Sequence, residues 1–158
     1  MPKKIIIIML ITTLLTCTQT SRAGQEGHGG DMAAALFLSV TYKLNDQIVK
    51  LPMSTFPTEG FLDTLNKAIH DTTIYSEEHV YLKDVEVDAI NFPDIEQPRI
   101  ILNRYRWLNT SLNYEIRSHL VLHEYLSIMG FNDSRYEISS AILSKVFTNN
   151  QPPSRSNE

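Results

Sequence analysis

The sequence predicts an α+β domain, and three observations carry that expectation. Leu36, Phe37, Val40, Leu44, Ile48 and Leu51 recur at three- and four-residue steps, and a similar apolar periodicity returns over residues 112–128. Between these helical patterns, TTIYS, VYLKDVEVDAINF and PRIILNRYRW are rich in β-branched and aromatic residues. The gaps between those three stretches are too short for helical crossovers, so the sheet is expected to be short and antiparallel.

Taken in order, the chain opens MPKKIIIIMLITTLLTCTQTSRAGQ. Lys3 and Lys4 precede a short apolar run, Ile5–Leu15, and Ser21-Arg22-Ala23 places small residues at the two positions that signal peptidase inspects. Residues 1–23 therefore read as an export signal cleaved after Ala23, too short to be a comfortable membrane span. The alternative is lipid attachment at Cys17, since Leu14-Leu15-Thr16-Cys17 loosely resembles a lipoprotein cleavage site. Cleavage removes Lys3, Lys4 and Arg22 and no acid. The 14 basic residues fall to 11 against 18 acidic ones, a formal charge of −7. That balance disfavours nucleic acid or anionic lipid as a partner. Cys17 is the only cysteine, so the exported domain folds without disulfides.

Gly24–Gly30 (GQEGHGG) reads as a flexible segment, and residues 31–148 as one domain. Asp31 is placed to cap a helix through about Leu51, and Pro52 and Pro57 interrupt the chain before a shorter helix from about Thr58 to Ile69. Two or three strands follow. Alternation along Arg99–Trp107 puts Ile100, Leu102, Arg104 and Arg106 on one side and Ile101, Asn103, Tyr105 and Trp107 on the other. The arginines of that edge are expected to pair with Glu86, Asp88 or Glu96 while the aromatics pack. Asn109-Thr110-Ser111 offers a cap for a helix to about Met129, which Gly130 is suited to end. A last helix is expected at about Tyr136–Phe147, and NNQPPSRSNE reads as a disordered tail.

The helix before Gly130 carries the chemistry, in the stretch LVLHEYLSIMGFND. At 100° per residue, Leu112, Ile116, His119, Leu120, His123, Leu126 and Ser127 share a face, and Tyr114, Val121, Tyr125 and Ile128 occupy much of the opposite one. A helix apolar on most sides is central and buried, and imidazoles there must find hydrogen-bond partners, stay neutral or bind a metal. His119 and His123 lie one turn apart and could reach one ion. Glu115 sits at the edge of the same face, Glu124 could act as general base on a metal-bound water, and Asp133 or Glu137 could add a ligand. Zinc is the metal such a set would suit.

HEYLSIMGFND resembles the metzincin zinc-peptidase pattern His-Glu-x-x-His-x-x-Gly-x-x-His/Asp. His123, Glu124, Gly130 and Asp133 match it in place, whereas Ser127 stands where the family has a metal-binding histidine. The resemblance implies a zincin-like helix with one ligand missing. GHGGD at 27–31, RIILNRYRW at 99–107, LVLHEYL at 120–126 and YEISS at 136–140 are similar to landmarks of small exported bacterial proteins of uncharacterised function. That resemblance implies export and a shared fold, and no reaction.

The structural alternative for His123 and Glu124 is an imidazole bonded to a carbonyl or tyrosine and a carboxylate that caps or pairs with arginine. Asp133, in Asn132-Asp133-Ser134, also suits ordinary turn and cap chemistry. His28 lies between glycines without preorganisation, His70 and His79 have no suggestive neighbours, and Ser139-Ser140 has no located base. The sequence therefore leads to an exported periplasmic or secreted domain with a degenerate zincin-like helix, non-catalytic, with a structural role or a binding role toward a protein or peptide partner. The alternative is a metal-dependent hydrolase using His123 and Glu124.

Overall fold

The computed structural model describes residues 30–93, 96–109 and 111–149. The expected export signal, Cys17, His28 and the tail beyond Asn149 lie outside the described residues. Helix α1 spans Met32–Ile48, and the Asp31 side chain accepts a hydrogen bond from the Ala34 N–H at 3.0 Å. Asp31 also reaches across the fold. Its Oδ2 accepts from the Ser76 N–H and its Oδ1 from the Ser76 hydroxyl, both at 2.7 Å. Arg104 completes the link, its Nε donating to Ser76 Oγ at 2.9 Å and its Nη2 to the Ser76 carbonyl at 3.2 Å. Burial acts to raise the Asp31 carboxyl, but the bonds from Ala34 and Ser76 and the Arg104 charge outweigh it and hold the group below its ordinary value.

Helix α2, Phe61–Asp71, starts three residues later than the sequence suggested. Gly60 stands before it at φ +73°, a left-handed turn that glycine adopts without penalty. Phe56 and Phe61 then stack across this turn, their centroids 5.0 Å apart. Five strands follow: β1 (Thr73–Glu77), β2 (Tyr81–Leu82), β3 (Val85–Glu86), β4 (Ala89–Phe92) and β5 (Arg99–Asn103). β2 and β3 form an antiparallel hairpin whose turn residues Lys83 and Asp84 both have positive φ, 49° and 66°. That geometry is the one whose twist matches a two-residue hairpin.

The main sheet has the order β1-β5-β4. β4 pairs antiparallel with β5, Ala89 opposite Leu102, but β1 pairs parallel with it, Thr73 opposite Arg99. The sheet is therefore mixed, where the sequence suggested antiparallel pairing throughout. The short gaps separate successive strands, whereas the parallel pair is joined through the hairpin and β4 together, a connection long enough to return the chain without a helix.

A second correction concerns Arg99–Trp107. Alternation holds to Asn103, with Ile100 and Leu102 buried, and the chain then turns into a short helix, α3 (Arg104–Trp107). Asn103 causes the switch. It is fully buried, its Oδ1 accepts from the Arg106 N–H at 3.2 Å, and its Nδ2 donates to Glu86 Oε1 at 2.8 Å and the Val87 carbonyl at 3.1 Å. Trp107 consequently points into the core, edge-on to Phe37 at 5.1 Å, while Arg106 pairs with Asp88 at 3.0 Å.

Helix α4, Tyr114–Ile128, is capped by Asn113, whose side chain accepts from the Ile116 N–H at 2.9 Å. Asn109, expected at that cap, instead accepts from the N–H and hydroxyl of Ser111 in a turn of its own. Gly130, at φ +83°, ends the helix. The Phe131 N–H reaches the Leu126 carbonyl at 2.9 Å and the Gly130 N–H reaches that of Ser127 at 3.0 Å, the paired bonds of a Schellman motif. α4 is the central element, packed on α1, α2, β4 and the last helix, α5 (Glu137–Asn149). Its buried side chains include Val121, Leu122, Tyr125 and Leu126, which join Phe37, Leu44, Phe61, Leu65, Leu102, Trp107 and Leu143 in one core cluster. Among the described residues no helix is long and apolar enough to cross a membrane.

Candidate functional site

One face of α4 meets β4 and the loop leading into α5. His123 lies there with its side chain 21% exposed, while the Asp133 side chain is fully buried and places Oδ2 at 3.2 Å from His123 Nδ1. A carboxylate only accepts, so Nδ1 of His123 is the donor of this pair. Nε2 makes no hydrogen bond among the described residues. The second oxygen of Asp133 is occupied: Oδ1 accepts from the Ile138 N–H at 2.8 Å and the Ser139 N–H at 3.2 Å, capping α5. One carboxylate thus orients the imidazole and starts the next helix.

Tyr136 covers the imidazole. Its ring stacks on His123 at 4.4 Å with planes 24° apart, and its backbone is held at φ +59°, which is uncommon for a residue with a side chain. Burial raises the Tyr136 hydroxyl, and the carboxylates of Glu124, Asp88 and Asp133 raise it further.

Glu124 is 5% exposed and is held by β4. Asn91 Nδ2 donates to Glu124 Oε2 at 2.6 Å, and Ser127 Oγ donates to Asn91 Oδ1 at 2.9 Å. Burial raises the Glu124 carboxyl and the Asp88 charge adds to the rise; the Asn91 bond and the nearby His123 oppose it without cancelling it. Ser127, standing at the histidine position of the zinc-peptidase pattern, thus serves the amide that serves the glutamate.

The structure brings together His123, Glu124, Asp133 and Ser127, and it leaves other candidates apart. His119 is half-buried and joins no hydrogen bond among the described residues. Glu115 is exposed in the first turn of α4, and Glu137 is exposed and paired with Arg135 at 3.8 Å. His70 pairs with Asp71, and His79 with Glu86. Ser139 is buried and donates to the Tyr136 carbonyl at 3.3 Å. Among the described residues no group of three or more His, Cys, Asp or Glu side chains converges as metal ligands would.

Sequence reasoning missed Asn91 and Tyr136. Asn91 was visible as a lone amide inside the apolar strand Ala89–Phe92, where a polar group needs a partner. Tyr136 carried no such signal, because its position over His123 depends on the turn that Asp133 builds. In comparisons with known proteins the chain matches no family model, no curated protein and no solved structure.

Proposed function

We propose that the protein is an exported, non-catalytic domain whose zincin-like helix is degenerate and serves architecture, and that it works by binding a partner or as a structural part of the envelope. One observation carries this reading: Asp133, Glu124, Asn91 and Ser127 of the His-Glu region are engaged in joining elements. Asp133 divides its oxygens between His123 and the start of α5. Asn91 joins Glu124 and Ser127 of α4 to β4. A carboxylate that activates water must face the water, whereas Glu124 is buried and bonded to an amide.

Export rests on the character of residues 1–23, with lipid attachment at Cys17 as the alternative route to the envelope. The acidic balance of the chain supports a protein or peptide partner over nucleic acid. A metal-dependent hydrolase is the rival reading, and the His123 Nε2, which has no hydrogen-bond partner among the described residues, is the feature that favours it. That reading requires at least three ligands around one point, and among the described residues the donors near His123 do not supply such a set.

The test is the metal content of the mature protein, purified without chelator or histidine tag, beside His123→Ala. We expect a metal-free protein that stays folded and gains no activity on peptide substrates when zinc is supplied. Near-stoichiometric zinc that disappears in a folded His123→Ala variant would overturn the proposal. So would loss of function in a folded, normally abundant Glu124→Gln protein.

A further inference from the structure

Away from α4, a second face carries exposed aromatic side chains that the core does not use. Tyr105 is 70% exposed and Tyr81 57% exposed, and His79 lies between them, its ring centroid 5.9 Å from that of Tyr105 and 6.4 Å from that of Tyr81. Through His79 the three rings make a continuous aromatic patch from α3 to the β2–β3 hairpin. Beside the patch is an open groove of about 770 Å³ lined by Glu78, Arg104, Tyr105, Leu108 and Asn109. A small domain that leaves aromatic rings in water beside a groove with a few convergent polar groups has the general form of a ligand site.

The polar lining limits the ligand. Arg104 is the cation of the groove, but Ser76 holds its Nε and Nη2, and the Asp31 carboxylate faces it. Glu78 stands on the rim, and Glu86 accepts from His79 at 2.8 Å beside the patch. The positive charge is thus offset locally, which disfavours a phosphate, a nucleic acid or an acidic peptide. What remains is a set of planar hydrogen-bonding groups. Among the described residues Arg104 Nη1 and Asn109 Nδ2 make no hydrogen bond, and Glu78 supplies acceptors. Planar groups of this kind bridge adjacent hydroxyls, and exposed rings cover the C–H faces of a sugar ring.

The geometry points to a binding site for a neutral oligosaccharide, with successive sugar rings laid along Tyr105, His79 and Tyr81 and hydroxyls bound by Arg104, Asn109 and Glu78. This inference rests on the binding branch of the reading above and goes beyond its protein or peptide partner, adding a glycan as a second class of ligand. Its residues are separate from those around His123.

The test titrates the mature full chain with β-1,4-linked glucose oligomers and β-1,4-linked N-acetylglucosamine oligomers by calorimetry, beside a sulfated glycan. Saturable binding of at least one neutral oligomer is expected, in preference to the sulfated one. In Tyr105→Ala the affinity should fall about tenfold, and Tyr105→Phe, which keeps the ring, should retain most of it. No binding of either neutral oligomer overturns the inference, as does preference for the sulfated glycan or binding indifferent to Tyr105→Ala. Analysis of the bound sugar separates this from the proposed function. A sugar that is bound but cleaved leaves the site standing and removes the non-catalytic reading. A metal-free, folded protein that binds no sugar does the reverse.

Discussion

At Glu124, burial and a neighbouring negative charge act in the same direction, and the side chain ends on an amide rather than on a cation. A carboxyl raised in the folded state gives stability that is fully present below its unfolded value and is lost as pH rises through its folded value. Glu124→Gln keeps an acceptor for Asn91 and removes the buried charge. It should raise stability by about 1 kcal/mol at neutral pH, with the gain vanishing in acid, as read from urea unfolding across pH. Asp31 has the opposite sign. Its carboxyl is lowered, so its contribution is present above the unfolded carboxylate value and is lost as pH falls through the folded one. Asp133 combines two tasks, and Asp133→Ala leaves two N–H groups and an imidazole without their acceptor. A loss of about 2–3 kcal/mol is expected in denaturant titration. The sequence showed that Asp133 suited both a cap and a place near His123. It could not show that one carboxylate does both, because that depends on how α5 returns to α4.

At the scale of elements, the signals that lie within a few residues were the legible ones. Asp31 starts α1 as its side chain predicts, and Gly130 ends α4 with the left-handed turn that glycine favours. At Gly130 a Cβ would meet nothing within 4 Å, so Gly130→Ala should cost only its backbone strain, about 1 kcal/mol in thermal or denaturant unfolding. The end of β5 was not legible. Arg104–Trp107 continues the strand pattern in sequence, and the turn into α3 is set by Asn103 bonding to Glu86 and Val87 across the hairpin. Asn103→Ala should therefore cost about 2 kcal/mol and unsettle α3, seen as faster amide hydrogen exchange at Arg106. The parallel partner of β5 was hidden for a related reason: strand direction depends on the whole path between two strands, and alternation records only which side faces in.

For the molecule as a whole, a single cluster joins α1, α2, α4, α5 and the sheet, and Trp107 lies inside it with no exposed surface. It is also the only tryptophan, so its emission reports on the core without interference. Unfolding followed by Trp107 fluorescence and by far-ultraviolet circular dichroism should give one shared midpoint, and separate midpoints would divide the cluster into independent units. Asp31 sets a further property of this body. Just ahead of α1 this single carboxylate is fastened to α1 through Ala34 and to β1 through Ser76, with Arg104 bracing Ser76 from the end of β5. If the chain ahead of it is held to a surface, tension enters the domain at that fastening and is divided at once between a helix and the sheet. The domain would bear a pull on its leading end as one piece, instead of having α1 peeled from it turn by turn.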